Sequence, residues 1–135
     1  MARIAFADDA IALLPALCTA FDNPGDAIQI TGDAIGGSLQ VARCNPFDVT
    51  KMPAVGLLLS KSDATHAVVA LFGVQPLAGF APGARIFVGQ DGRPSASPMV
   101  PPRTQPMLVQ ALGVAIDSAR MLLVPSPDMI RVGPP

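Results

Sequence analysis

His66 is the only histidine in the chain, and Ser62 and Asp63 stand just before it, so the three side-chain types of a hydrolytic triad lie close together. That chemistry needs a nucleophile held at a strained elbow and a base oriented by a carboxylate. No Gly-x-Ser-x-Gly stretch supplies the elbow. Ser62-Asp63-Ala64-Thr65 instead has the composition of a turn, with His66 at the start of the strand that follows. Asp8 and Asp9 are paired carboxylates, but adjacent residues point apart on any regular element, and a solvated cap is the expected role. Cys18 and Cys44 are too far apart for a Cys-x-x-Cys pair and too few for a zinc site, which leaves two buried thiols as the expectation in preference to a bridge. Gly32, Gly36 and Gly37 lack the Lys-Ser/Thr ending of a phosphate loop and read as hairpin glycines. These residues predict no catalytic site, no cofactor and no metal, and the chain is expected not to be an enzyme.

The scaffold behind these residues is constrained by composition. A length of 135 residues, half of them hydrophobic, fits one compact domain and perhaps an arm. All ten acidic residues are Asp, and only Lys51 and Lys61 accompany the arginines, so the side chains that stabilise exposed helix faces are nearly missing. A helix bundle is excluded on that ground. A net charge of -1 gives no basic field for phosphates, and the absence of Trp and Tyr removes the stacking platforms that single strands or sugars would use. Mean hydropathy is +0.47, yet the longest apolar stretches, such as 67–74, are far shorter than the roughly 20 residues of a spanning helix, so neither nucleic acid nor membrane is an expected partner. Asp8 and Asp9 stand where a signal peptide carries positive charge, and the N-terminus reads as mature, with synthesis in the cytoplasm.

Residues 1–25 read as an N-terminal arm. Asp8 or Asp9 can cap a short helix in which Ala10, Ile11, Leu13, Leu14 and Leu17 recur at helical spacing, interrupted by Pro15 and ended at Asp22-Asn23-Pro24-Gly25. Residues 26–135 read as one β domain, a small antiparallel barrel or sandwich. Its strands are expected at 27–31, 38–44, 55–60, 67–75, 85–90, 107–116 and 121–124, with a Pro-rich extended loop at 91–106 and an extended C-terminal tail. Leu57-Leu58-Leu59 and Ala67 to Phe72 do not alternate, so these strands are expected to be covered on both faces. A lone small barrel buries only one face of its sheet, and the second cover is assigned to a partner or to the arm. Ile4, Phe6, Ile11, Leu13, Leu14 and Leu17 in the arm, and Met129, Ile130 and Val132 in the tail, are the candidate partner interface.

The order of turns in the second half is distinctive. Val55 to Leu59 and Ala67 to Val74 are followed by Gly79-Phe80-Ala81-Pro82-Gly83, the run Arg85-Ile86-Phe87-Val88, the Gly92 turn, a Pro-rich passage, Gln105-Pro106, Gly113-Val114-Ala115 and a closing strand from Met121 to Val124. Residues 54 to 125 thereby resemble the small β-barrel modules of tailed-bacteriophage structural proteins, notably capsid decoration (cement) proteins and head-fibre or tail-fibre proteins. Ile86-Phe87-Val88 stands where such modules often carry Tyr, and Gln105-Pro106 lies farther from Gly113 than their pattern has it. The resemblance implies a virion structural protein on the capsid surface, with the major capsid protein as partner. A homo-oligomer, a trimer rather than a dimer, is the expected assembly. Decoration of the head is the first reading, because a single domain without fibre repeats suits a many-copy clamp. A head-fibre or tail-fibre adsorption protein that binds the host surface is the alternative.

Overall fold

The computed structural model describes residues 13–97 and 106–132, and they form a small, mainly β structure. Twelve strands follow one another: β1 (Leu13–Leu17), β2 (Ala27–Ile35), β3 (Ser38–Arg43), β4 (Gly56–Lys61), β5 (His66–Ala70), β6 (Gly73–Pro76), β7 (Arg85–Val88), β8 (Pro94–Ser95), β9 (Met107–Val109), β10 (Ala111–Ala115), β11 (Arg120–Leu123) and β12 (Ile130–Val132). The first five close into a barrel in the order β1-β3-β2-β4-β5. A five-stranded antiparallel sheet, β6-β11-β10-β7-β8, packs against it, and β12 pairs with β9 in a separate two-stranded ladder.

The expected N-terminal helix is replaced by a strand over its described part. Leu13 to Leu17 pair along their whole length with β5, antiparallel, and at Ala16 and Leu17 also with β3, parallel. Pro15 accounts for the choice. It breaks a helix by removing a donor, yet here it sits where β1 has only one neighbour, so the missing N–H breaks no ladder. Period-two alternation then turns Leu14 and Ala16 towards the barrel core.

Turn chemistry explains the connections. Asn23-Pro24-Gly25-Asp26 closes through Asp26 N–H donating to the Asn23 carbonyl at 3.0 Å, with Gly25 at φ 95°, the pattern of a type II turn. Ala81-Pro82-Gly83-Ala84 repeats it before β7. Gly36 and Gly37, both at positive φ, form the two-residue turn between β2 and β3, where Ile35 pairs with Ser38. Two apolar runs break into pairs of strands. Residues 67–75 bend at Leu71-Phe72 as the chain passes from barrel to sheet, and 107–116 divides at Gln110 into β9 and β10.

The core has two parts, and β4 lies between them. Leu58 faces the barrel interior with Ala16, Ile28, Val41 and Val69, whereas Leu57 faces outward onto Ile86, Leu112, Met121 and Leu123 of the second sheet. The expectation that β4 is covered on both faces therefore holds, but its assignment of the second cover to a partner or to the arm is corrected: the cover is this chain's own second sheet. Residues 67–72 are covered only in part, since Val68 points outward and Phe72 is exposed. Within the stretch read as a Pro-rich loop, Pro94 and Ser95 pair with Val88 and Phe87 as an edge strand.

Candidate functional site

His66 does stand at the head of β5 after a turn. Asp63 Oδ1 accepts from the backbone N–H of Thr65 and of His66, each at 2.9 Å, and the same carboxylate meets His66 Nδ1 at 2.9 and 3.0 Å. Thr65 Oγ1 approaches that same ring nitrogen at 3.2 Å. A relay needs the carboxylate on one nitrogen and the nucleophile on the other. Here both partners converge on Nδ1, in the open, and the arrangement is a turn clasp. Those N–H donors and the imidazole hold the Asp63 carboxyl down at about 2.

Among the described residues no group of three or more His, Cys, Asp or Glu side chains is placed to hold a metal, and no helix is long and apolar enough to cross a membrane. Cys18 belongs to the barrel core and Cys44 to the core beneath the second sheet, both as free thiols. Burial pushes the Cys44 thiol up to about 12.

The buried polar groups serve the scaffold. Asp22 accepts from Thr19 N–H at 2.7 Å and Arg43 N–H at 2.9 Å, while Lys61 Nζ donates to the Thr19 and Asp22 carbonyls. This ties the connection between β1 and β2 to β3 and β4. Burial raises the Asp26 carboxyl above its ordinary range, although Asn23 N–H donates to it at 2.9 Å.

Among the described residues, the expected partner residues are spread over different surroundings. Ile4, Phe6 and Ile11 lie outside the described residues. Leu13 is exposed on β1, while Leu14 packs into the barrel core and Leu17 is half-buried. Met129 packs against the core beneath the second sheet, and Val132 pairs with Met107 in the chain's own ladder. Of the three tail candidates Ile130 is the exposed one, at 66%.

Among the described residues, one coherent apolar surface is made by residues that sequence reading did not single out as an interface. Val74, Leu122, Val114 and Arg85 are successive register partners across β6, β11, β10 and β7, and they form one row on the outer face of the second sheet. The three aliphatic members are each 40–42% exposed, and Ile116 and Val124, just beyond the ends of β10 and β11, add further exposed apolar surface. Beside the row runs a groove of about 370 Å³ floored by Gly113 and walled by Pro125 and Pro127. Arg85 stands at the end of the row over the Phe87 ring, 5.7 Å from its centroid. The available signal was Met121-Leu122-Leu123-Val124, apolar at every position. A strand of that kind has an apolar face on each side of its sheet.

Gly113 fixes the shape of this face. A Cβ at that position would lie 1.9 Å from the Leu122 carbonyl oxygen, and φ is 154°, so only glycine lets β10 approach β11 here, while on its other edge the register of β10 with β7 shifts between Ala111 and Gly113. Compared with known proteins, the chain matches no family model, no curated protein and no solved structure.

Proposed function

We propose that this chain is a virion structural protein, a capsid decoration (cement) protein that binds the major capsid protein of an assembled tailed-phage head and stabilises the shell. The observation that carries the reading is the outer face of the second sheet. Three of the segments on which the resemblance rests, in Arg85 to Val88, Gly113 to Ala115 and Met121 to Val124, supply adjacent strands of that sheet, and the turn before β7 is the expected Pro-Gly turn. Together they present an open apolar row with a cation at one end. Such a face suits burial against another protein, because an apolar core with an Arg anchor is the composition of a stable interface. A trimer on the shell is the assembly proposed.

The reading of adsorption to a host surface looks first to residues 91–106 as its reader, of which 98–105 lie outside the described residues, and it gains a second feature in the tip of the β2–β3 hairpin, where residues 30–37 are all exposed. The experiment that separates the two is fractionation of purified virions into heads and tails with copy counting. Many copies on heads support decoration, and a few copies on tails support adsorption.

A further inference from the structure

We propose that the cleft between the β1–β2 connection and the outer face of β2 and β3 is a binding site for a carboxylate. It is separate from the apolar row on the second sheet, and it stands whether or not the chain decorates a capsid. Strand alternation builds the floor. Ile28 and Val41 belong to the barrel core, so their neighbours Gln29 and Ala42 face out of the barrel, where the two are register partners. Ala42 is short, and the space beside Gln29 stays open as a cleft of about 180 Å³. Its other walls are Thr19, Phe21 and Asp22 of the β1–β2 connection, with Arg43 and Lys51. Pockets for drug-sized ligands start at roughly 300 Å³, so the occupant of this one is a small group.

The groups that line the cleft select an anion. Gln29 is 8% exposed, and its side-chain amide has no hydrogen-bond partner among the described residues, whereas the buried amide of Gln110 makes three bonds. A nearly buried amide without a protein partner is a donor held ready for a ligand. Arg43 is steadied by donation from Nη1 to the Phe21 carbonyl at 3.1 Å, and its ion pair with Asp91 is long, at 3.9 Å, and solvated, which leaves the guanidinium able to donate again. Lys51 has no ion pair among the described residues. Asp22 is the acidic residue of the lining, and both its oxygens are taken, Oδ1 by Arg43 N–H and Oδ2 by Thr19 N–H. Two cations against one carboxylate leave the lining with a single positive charge, which one bound carboxylate balances and a doubly charged phosphate exceeds. Phe21 is 73% exposed and gives apolar contact to whatever chain carries that carboxylate, so an acidic side chain of another protein fits better than a free acid.

The test is an NMR titration of the full chain with acetate and with two blocked tripeptides, Gly-Asp-Gly and Gly-Asn-Gly, at an ionic strength held constant with chloride. Acetate and the Asp peptide should each shift the Gln29 side-chain amide resonances saturably, and the Asn peptide should leave them in place. Tighter binding of the Asp peptide makes the occupant an acidic side chain, equal or tighter binding of acetate makes it a free acid, and either result upholds the carboxylate site. Lys51→Ala alters an exposed side chain and should weaken both acids at least about threefold. Arg120→Ala, which removes a cation paired with Asp117 and outside the cleft, should change neither. Gln29 resonances unmoved by both acids, equal shifts with the Asn peptide, unchanged affinity in Lys51→Ala, or equal weakening by Arg120→Ala would each overturn the proposal.

Discussion

Gln110 and Ala54 are bonded as if the side chain were a strand. Gln110 Oε1 accepts from Ala54 N–H at 2.7 Å, and Nε2 donates to the Ala54 carbonyl at 2.9 Å and to the Ser126 carbonyl at 2.8 Å. The residue is 1% exposed, so every polar atom that its amide satisfies would otherwise be orphaned without water. Gln110→Leu keeps the volume and removes all three bonds. Its expected cost is about 2–4 kcal/mol in urea unfolding, and a loss under about 1 kcal/mol would show that water replaces the amide.

Gly113→Ala forces a Cβ against the Leu122 carbonyl, and Gly56→Ala does the same to the Ala70 carbonyl, at 2.1 Å. In both cases the clashing atom is backbone, which cannot rotate aside. Each variant should lose at least about 3 kcal/mol or fail to accumulate as folded protein. Gly36→Ala, with open space around it, serves as the comparison and should lose only the smaller cost of its positive φ.

The Asp63 clasp predicts a pH signature with a definite sign. The folded carboxyl titrates at about 2, below its unfolded value of about 3.9. Its stabilising contribution is therefore complete above the unfolded value and disappears as pH falls towards 2. His66→Ala removes one of the groups holding it down, so the Asp63 midpoint, followed by carboxyl NMR, should rise. An unmoved midpoint would mean that the Thr65 and His66 backbone donors alone set it. If the chain decorates heads, the same variant should bind them as the unsubstituted chain does.

Much of this architecture is legible in the chain. Pro24-Gly25, Gly36-Gly37 and Pro82-Gly83 mark turns because their backbone requirements are local and strict, and Leu57-Leu58-Leu59 marks a strand covered on both faces. The N-terminal strand was hidden because Leu13, Leu14 and Leu17 fit helical spacing, and the pairing that decides against a helix comes from β5, some fifty residues away. The outer row was hidden for a related reason. Val74, Leu122, Val114 and Arg85 become neighbours only through the order β6-β11-β10-β7, which turn signals do not encode. Nor does the sequence show that the cover over Leu57 is internal, since a second sheet and a partner leave the same apolar pattern.

If the outer row is the contact with the capsid, charge placed there should abolish attachment without unfolding the chain. Val114→Asp and Leu122→Asp should change folding stability by about 1 kcal/mol or less, since both side chains are substantially exposed. Affinity for undecorated heads should fall at least about tenfold. Full binding by the double variant would move the interface to another face.

The most direct measurement of the proposed function is to add the purified chain to phage heads that lack it and follow both saturation and the temperature of genome release. A ligand that binds only the assembled shell stabilises it by mass action, and many copies multiply the effect. The expected result is saturable binding at a fixed ratio to the major capsid protein, little weakened by salt because the contact is apolar, and a higher release temperature for decorated heads. No binding to heads, or binding that leaves the release temperature unchanged, would contradict it.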